Sequence, residues 1–118
     1  MQRWKMNYNS KNIVHEKRKI NNTCITANDG NPPLSAEVRH CEAWIREYCH
    51  PVKYINPRAS SYSLKHYAEN WQSENVKSYV TNGAFIQAAV NLGYKYRRVC
   101  KLNAEFNMYI SKSAKKAA

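Results

Sequence analysis

The sequence predicts an α+β domain, three helices followed by a C-terminal β-hairpin, behind a flexible basic N-terminal arm. Three observations lead there. Apolar residues recur at helical spacing in three stretches between residues 35 and 92. A period of two replaces that spacing beyond Gly93. The first 33 residues hold neither period, are rich in Asn and Lys, and end in the turn-forming run Asn28-Asp29-Gly30-Asn31-Pro32-Pro33. The chain of 118 residues therefore divides into an arm (1–33), a domain (34–111) and a short basic tail (112–118).

The first helix is expected from Ser35 to about Cys49. Ser35 is its expected N-cap, and Glu37 lies in the first turn, where the helix dipole favours a carboxylate. Val38, Cys41, Trp44, Ile45 and Tyr48 form an apolar stripe, and Glu42 and Arg46, four apart, can pair on the outer side. His50-Pro51 ends the helix, because a residue before proline avoids helical angles. Pro51 and Pro57 make residues 51–59 a connector. Ser60 or Ser61 caps a second helix reaching Trp71, on the pattern Leu64, Tyr67, Ala68, Trp71. Val76, Tyr79 and Val80 allow one more helical turn within 73–81. A third helix, about Asn82 to Leu92 with Thr81 or Asn82 as cap, turns Phe85, Ile86, Ala89, Val90 and Leu92 inward and closes on Gly93. Tyr94–Val99 and Ala104–Ile110 follow as strands, joined through Cys100-Lys101-Leu102-Asn103.

That element order is winged-helix-like: a helix-turn-helix followed by a β wing. By analogy of architecture, the third helix would enter the major groove and the hairpin would approach the backbone or minor groove. Asn82, Gln87 and Asn91 are its expected outward positions, and Asn and Gln side chains pair bidentately with the adenine edge. Phosphate contacts are assigned to Arg58, Lys65, Lys95, Arg97, Arg98 and Lys101. The nine residues of 73–81 are the discordant feature, since a helix-turn-helix turn has about three or four. A second mode uses Tyr94, Tyr96 and Tyr109, which lie beside Arg97 and Arg98 and can stack unpaired bases. Cross-strand packing is the plainer role for Tyr94 and Tyr96.

The charge supports a polyanionic partner. Nineteen Lys and Arg oppose eight Asp and Glu, a net +11. Residues 1–33 hold six cations against two carboxylates, residues 34–92 six against five, and residues 93–118 seven against one. Segregated charge creates a directional potential. A membrane-surface helix would also need a strong apolar face, which neither basic end has, so nucleic acid leads, with double-stranded DNA ahead of RNA. No apolar run approaches the roughly 20 residues of a membrane span. Polar residues, not an apolar signal core, follow Met1-Gln2-Arg3-Trp4-Lys5, so a cytoplasmic location is expected.

Short strings add a resemblance. Tyr54-Ile55-Asn56, Ser60-Ser61-Tyr62-Ser63-Leu64-Lys65-His66, Tyr79-Val80-Thr81-Asn82-Gly83-Ala84-Phe85-Ile86, Gly93-Tyr94-Lys95-Tyr96 and Asn103-Ala104-Glu105-Phe106-Asn107 resemble small proteins encoded by bacterial prophages and mobile elements. The likeness spans about residues 41–110. It implies a phage or mobile-element setting, and with it a DNA-binding regulator or, alternatively, a protein-binding inhibitor of a host defence complex. It brings no active site.

Other chemistry finds little footing. The chain has no C-x-x-C pair, and Cys41 and Cys49 would lie about 12 Å apart along a helix. Cys49-His50 with Cys24 or His66 is the one conceivable zinc set, and no metal or cofactor is expected. No Walker loop, nucleophile elbow or H-E-x-x-H occurs. Clustered carboxylates for a metal-dependent nuclease cannot be assembled, so no enzymatic activity is expected.

Overall fold

A computed structural model of the chain describes residues 19–20, 25–26, 32–71, 79–100 and 103–116. Two short strands, β1 (Lys19–Ile20) and β2 (Ile25–Thr26), form an antiparallel pair, and β1 lies beside the third long helix. Of the predicted arm, Pro32 and Pro33 are also described, and its other residues fall outside the described ones. Next come α1 (Ser35–Tyr48), β3 (Cys49–Ser60), α2 (Ser61–Asn70), α3 (Asn82–Asn91), β4 (Tyr96–Cys100), β5 (Asn103–Ile110) and a short α4 (Ser113–Lys116). The result is an α+β fold with three long helices and a three-stranded antiparallel sheet of order β3-β5-β4. No helix of the described residues is long and apolar enough to cross a membrane.

The order of elements corrects the winged-helix expectation. The segment read as a connector, 51–59, lies within the twelve-residue strand β3, which separates α1 from α2 and pairs with β5. Proline is tolerated because β3 is an edge strand and because it is bulged. Cys49, His50 and Pro51 pair regularly with Ile110, Tyr109 and Met108. From Pro51 to Asn56, β3 then advances five residues while β5 advances two, and from Asn56 to Ser60 four while β5 advances one. Side chains replace ladder bonds at these bulges. Asn56 Nδ2 donates to the Met108 carbonyl at 2.9 Å, and Asn107 Nδ2 to the Val52 carbonyl at 2.9 Å. Asn107 Oδ1 also accepts from the Lys95 backbone N–H at 2.7 Å, so one buried amide of β5 ties β3 to the residue that leads into β4.

The helices cover one face of the sheet. Ala104, Phe106 and Met108 of β5 are buried, as the alternation predicts. α3 packs against α1, α2 and β5 and is enclosed on nearly all sides: residues 82–86, 88 and 89 are buried. A helix apolar all round belongs inside. Phe85 meets Trp44 of α1 edge-on at 5.9 Å and Phe106 of β5 edge-on at 5.9 Å. The ring contacts continue from Trp44 through Tyr48 to Trp71.

Helix ends mostly follow local chemistry. Thr81 Oγ1 accepts from the Ala84 N–H, the cap expected for α3. At the other end Gly93, at φ +92°, donates to the Val90 carbonyl while Tyr94 N–H reaches Ala89, a Schellman closure. Ser35 is not the cap of α1: Leu34 occupies that position without a side-chain bond. Ser60 precedes α2 as its N-cap, likewise without a side-chain bond. Ser61 instead donates its hydroxyl to Asn103 Oδ1 and accepts from the Ala104 N–H, fastening α2 to the start of β5. Glu42 does not pair with Arg46; its carboxylate accepts from Asn91 Nδ2 at 2.8 Å and links α1 to α3. Tyr79 and Val80 are in no regular element, and 72–78 lie outside the described residues. The basic tail is partly docked, with Ala114 buried and Ser111 N–H bonded to the Tyr48 carbonyl at 2.7 Å.

Phe85→Ala should cost about 3–5 kcal/mol, because α3 cannot collapse around the void between Trp44 and Phe106. Thr81→Ala, which removes one cap bond, should cost about 1 kcal/mol. Urea unfolding of both variants checks the ranking; equal midpoints would contradict a core seated on α3.

Candidate nucleic-acid interface

Charge divides between the two layers. The long helices α1, α2 and α3 carry Arg39, Arg46 and Lys65 against Glu37, Glu42, Glu47 and Glu69. The sheet and its flanks, among described residues, carry Lys53, Arg58, Lys95, Arg97, Arg98 and Lys112 against Glu105 alone. The basic character expected of the two chain ends is thus a property of the sheet layer within the described fold.

Exposed rings accompany these cations. Tyr109 is 44% exposed and stacks on His50 across the β3–β5 register, with centroids 4.8 Å apart and planes at 29°. The period of two sets Tyr109 on the face opposite Phe106 and Met108. In the first bulge Tyr54 is 60% exposed, with Lys53 Nζ 5.5 Å from its ring centroid. Such a cation over a ring face is mutually attractive.

The sequence-predicted residues scatter. Asn82 is only 8% exposed, so it belongs to the core rim and not to an outward face. Gln87 is half-buried and donates to Asn91 Oδ1 at 2.8 Å; Asn91 is exposed but held by Glu42. The three therefore form no free row of amides for a groove. Lys65 is 7% exposed, and its ammonium donates to the Val80 carbonyl at 3.1 Å and lies 3.6 Å from Glu69. It also sits 5.8 Å and 5.2 Å from the rings of Tyr62 and Tyr79. These contacts make it a fastener between α2 and the segment leading into α3. Arg97 bonds Glu105 at 2.8 Å on the open face of the sheet. Arg98 pairs in register with buried Ala104, which sets it toward the helices; its Nε is buried without a hydrogen-bond partner among the described residues. Lys95 is half-buried, and Arg58 is exposed in the second bulge. Lys101 falls outside the described residues.

Tyr94 and Tyr96 take the packing role. Tyr94 is buried and Tyr96 lies against Phe106 at 6.3 Å. Burial pushes the Tyr94 phenol up to about 12, with the nearby Cys49 adding to the effect, and burial raises Tyr96 too. Only Tyr109 of the expected three offers its ring to solvent. The residues missed from the sequence are His50, Tyr54, Lys53 and Lys112. His50 could have been found only by reading residues 49–51 as a strand paired with Tyr109.

Of the conceivable zinc set, Cys24 lies outside the described residues. Cys49 packs against the core while the adjacent His50 faces the other way, onto Tyr109. Burial pushes the Cys49 thiol up to about 12. Burial, then the Glu37 and Glu42 carboxylates, push Cys41 up as well. Among the described residues no three His, Cys, Asp or Glu side chains group into a metal-holding arrangement.

No family profile, curated protein or solved structure matches the chain.

Two outcomes follow from these environments. Lys65→Met should lower stability by about 2 kcal/mol, since the methylenes still pack while the charged hydrogen bond to Val80 is lost; a urea midpoint equal to the parent's would contradict the fastener role. Raising pH should destabilise the fold. The buried Cys49 thiol and Tyr94 phenol favour their neutral forms when folded, with ordinary values of 9.0 and 10.0 raised to about 12. Their contribution is complete below pH 9 and is lost as pH rises toward 12. Thermal melts should be level near pH 8 and fall above pH 9, less steeply in Cys49→Ala.

Proposed function

We propose that the protein binds nucleic acid through the open face of its sheet, holding an unpaired strand. The observation that carries this reading is the stacked His50–Tyr109 pair set within the basic layer. Rings on a sheet beside cations suit single strands, because every base has a face to stack and every linkage a phosphate to neutralise. Duplex reading by the third helix loses its support, because α3 is enclosed by α1, α2 and the sheet. A regulator encoded by a phage or mobile element is a setting compatible with this activity.

A fluorescent single-stranded decamer, in DNA and RNA forms, and a matched duplex test the reading by titration at several salt concentrations. Both single strands should bind more tightly than the duplex. Engagement of about four phosphates gives a slope of log affinity against log salt of about −3. Tyr109→Ala should weaken binding by about 1–3 kcal/mol without changing that slope. Binding without salt dependence, or none at all, would overturn the proposal. A stoichiometric protein partner surviving nuclease treatment would then support the inhibitor reading.

A further inference from the structure

Tyr109 also borders a cleft of about 730 Å³, within the size of pockets that hold small organic ligands. The cleft lies between the second bulge of β3, the start of α2 and the end of β5. Its walls are built firmly. Asn56 anchors the bulge to Met108 and accepts from the Arg58 backbone N–H at 3.0 Å. Leu64 and Ile110 supply apolar surface, and Tyr67 and Tyr109 supply rings. Arg58 and Lys112 are the cations of the lining, both exposed, and neither side chain has a hydrogen-bond or ion-pair partner among the described residues. Ser60, Ser63 and Ser111 line it with hydroxyls, and no carboxylate lines it among the described residues.

We propose that this cleft takes one nucleotide, its phosphate held by Arg58 and Lys112 and its base against Tyr67 and Tyr109. The inference rests on the single-strand reading for the strand's path but not for the cleft's chemistry. Tyr109 belongs to both surfaces: its ring stacks on His50 and also lines the cleft. A strand crossing the sheet therefore reaches the cleft without leaving the aromatic surface. The combination selects a nucleotide over a simple anion, because two cations and hydroxyls alone would serve phosphate, whereas the rings and apolar side chains add surface that only a base uses. Among the described lining residues the charged side chains are the cations Arg58 and Lys112, which suits an anionic occupant.

Amide chemical shifts of the full chain distinguish the possibilities, with three probes: thymidine 5′-monophosphate, inorganic phosphate and a single-stranded thymidine decamer. The monophosphate should shift Arg58, Ser63 and Lys112, and phosphate alone should bind at least tenfold more weakly. Arg58→Ala with Lys112→Ala should abolish the monophosphate shifts, weaken decamer binding about tenfold and make the salt slope shallower by about 1.4, two phosphates' worth. Both side chains are exposed, so an unchanged melting temperature shows that the fold is intact. Equal binding of phosphate and monophosphate, or monophosphate shifts outside the cleft, would overturn the inference. Parental decamer affinity in the double variant would sink the strand's entry into the cleft while leaving the sheet-face reading standing. A decamer that fails to bind the parent protein sinks that reading, and the monophosphate arm then decides the cleft by itself.

Discussion

Phe85 is where the two layers of this fold meet. Its ring stands between Trp44 of α1 and Phe106 of β5, edge-on to both, so helix and sheet are each positioned against the same side chain. Everything else takes its place from that arrangement. Thr81 starts α3 at the depth Phe85 needs, with its backbone N–H held by Glu37 at 3.1 Å, and Gly93 ends the helix where the chain must turn into β4. Lys65 then secures the approach to α3 from the α2 side. The small residues Gly83, Ala84, Ala88 and Ala89 let α1, α2 and the sheet close around the helix.

Enclosing α3 decides which surface is left for a partner. A helix without a charged side chain, buried over most of its length, has nothing to offer a polyanion. The sheet has the opposite character. Its open face carries Arg97 with Glu105 and the His50–Tyr109 stack, and its flanks carry Arg58 and Lys112. In the proposed function, long-range attraction and short-range contact would fall on the same layer, cations drawing in a charged strand and rings meeting its bases.

Much of the helical frame was legible from spacing. Val38, Cys41, Trp44 and Ile45 are buried as their periodicity requires, and so are Leu64 and Ala68. The alternation of β5 and the closure at Gly93 were equally plain. β3 was not legible because its two prolines and its surplus residues erase the period of two that marks a strand. Losing β3 changed the topology inferred and, with it, the surface expected to act. Asn82, Gln87 and Asn91 are the polar positions of an otherwise apolar helix, and the breadth of its apolar surface is the sequence signal of enclosure. Lys65 illustrates the limit at a single residue: composition counts a charge, and only the fold shows its ammonium held by Val80 and Glu69. Charge and a place near α2 mark Arg58 in the sequence, and the fold adds a lining shared with Lys112, Tyr67 and Tyr109.

The irregularity of β3 has a further effect at the margin of the sheet. An ordinary outer strand offers a row of unpaired amides and carbonyls on which a second molecule can build. Pro51 and Pro57 have no amide hydrogen to offer, and the two bulges break the spacing a recruited strand would have to match. That side of the sheet is closed to polymerisation by its own covalent structure. Among the described residues of this sheet, β4 forms the opposite margin, paired on one side by β5, so an added strand would have to join there.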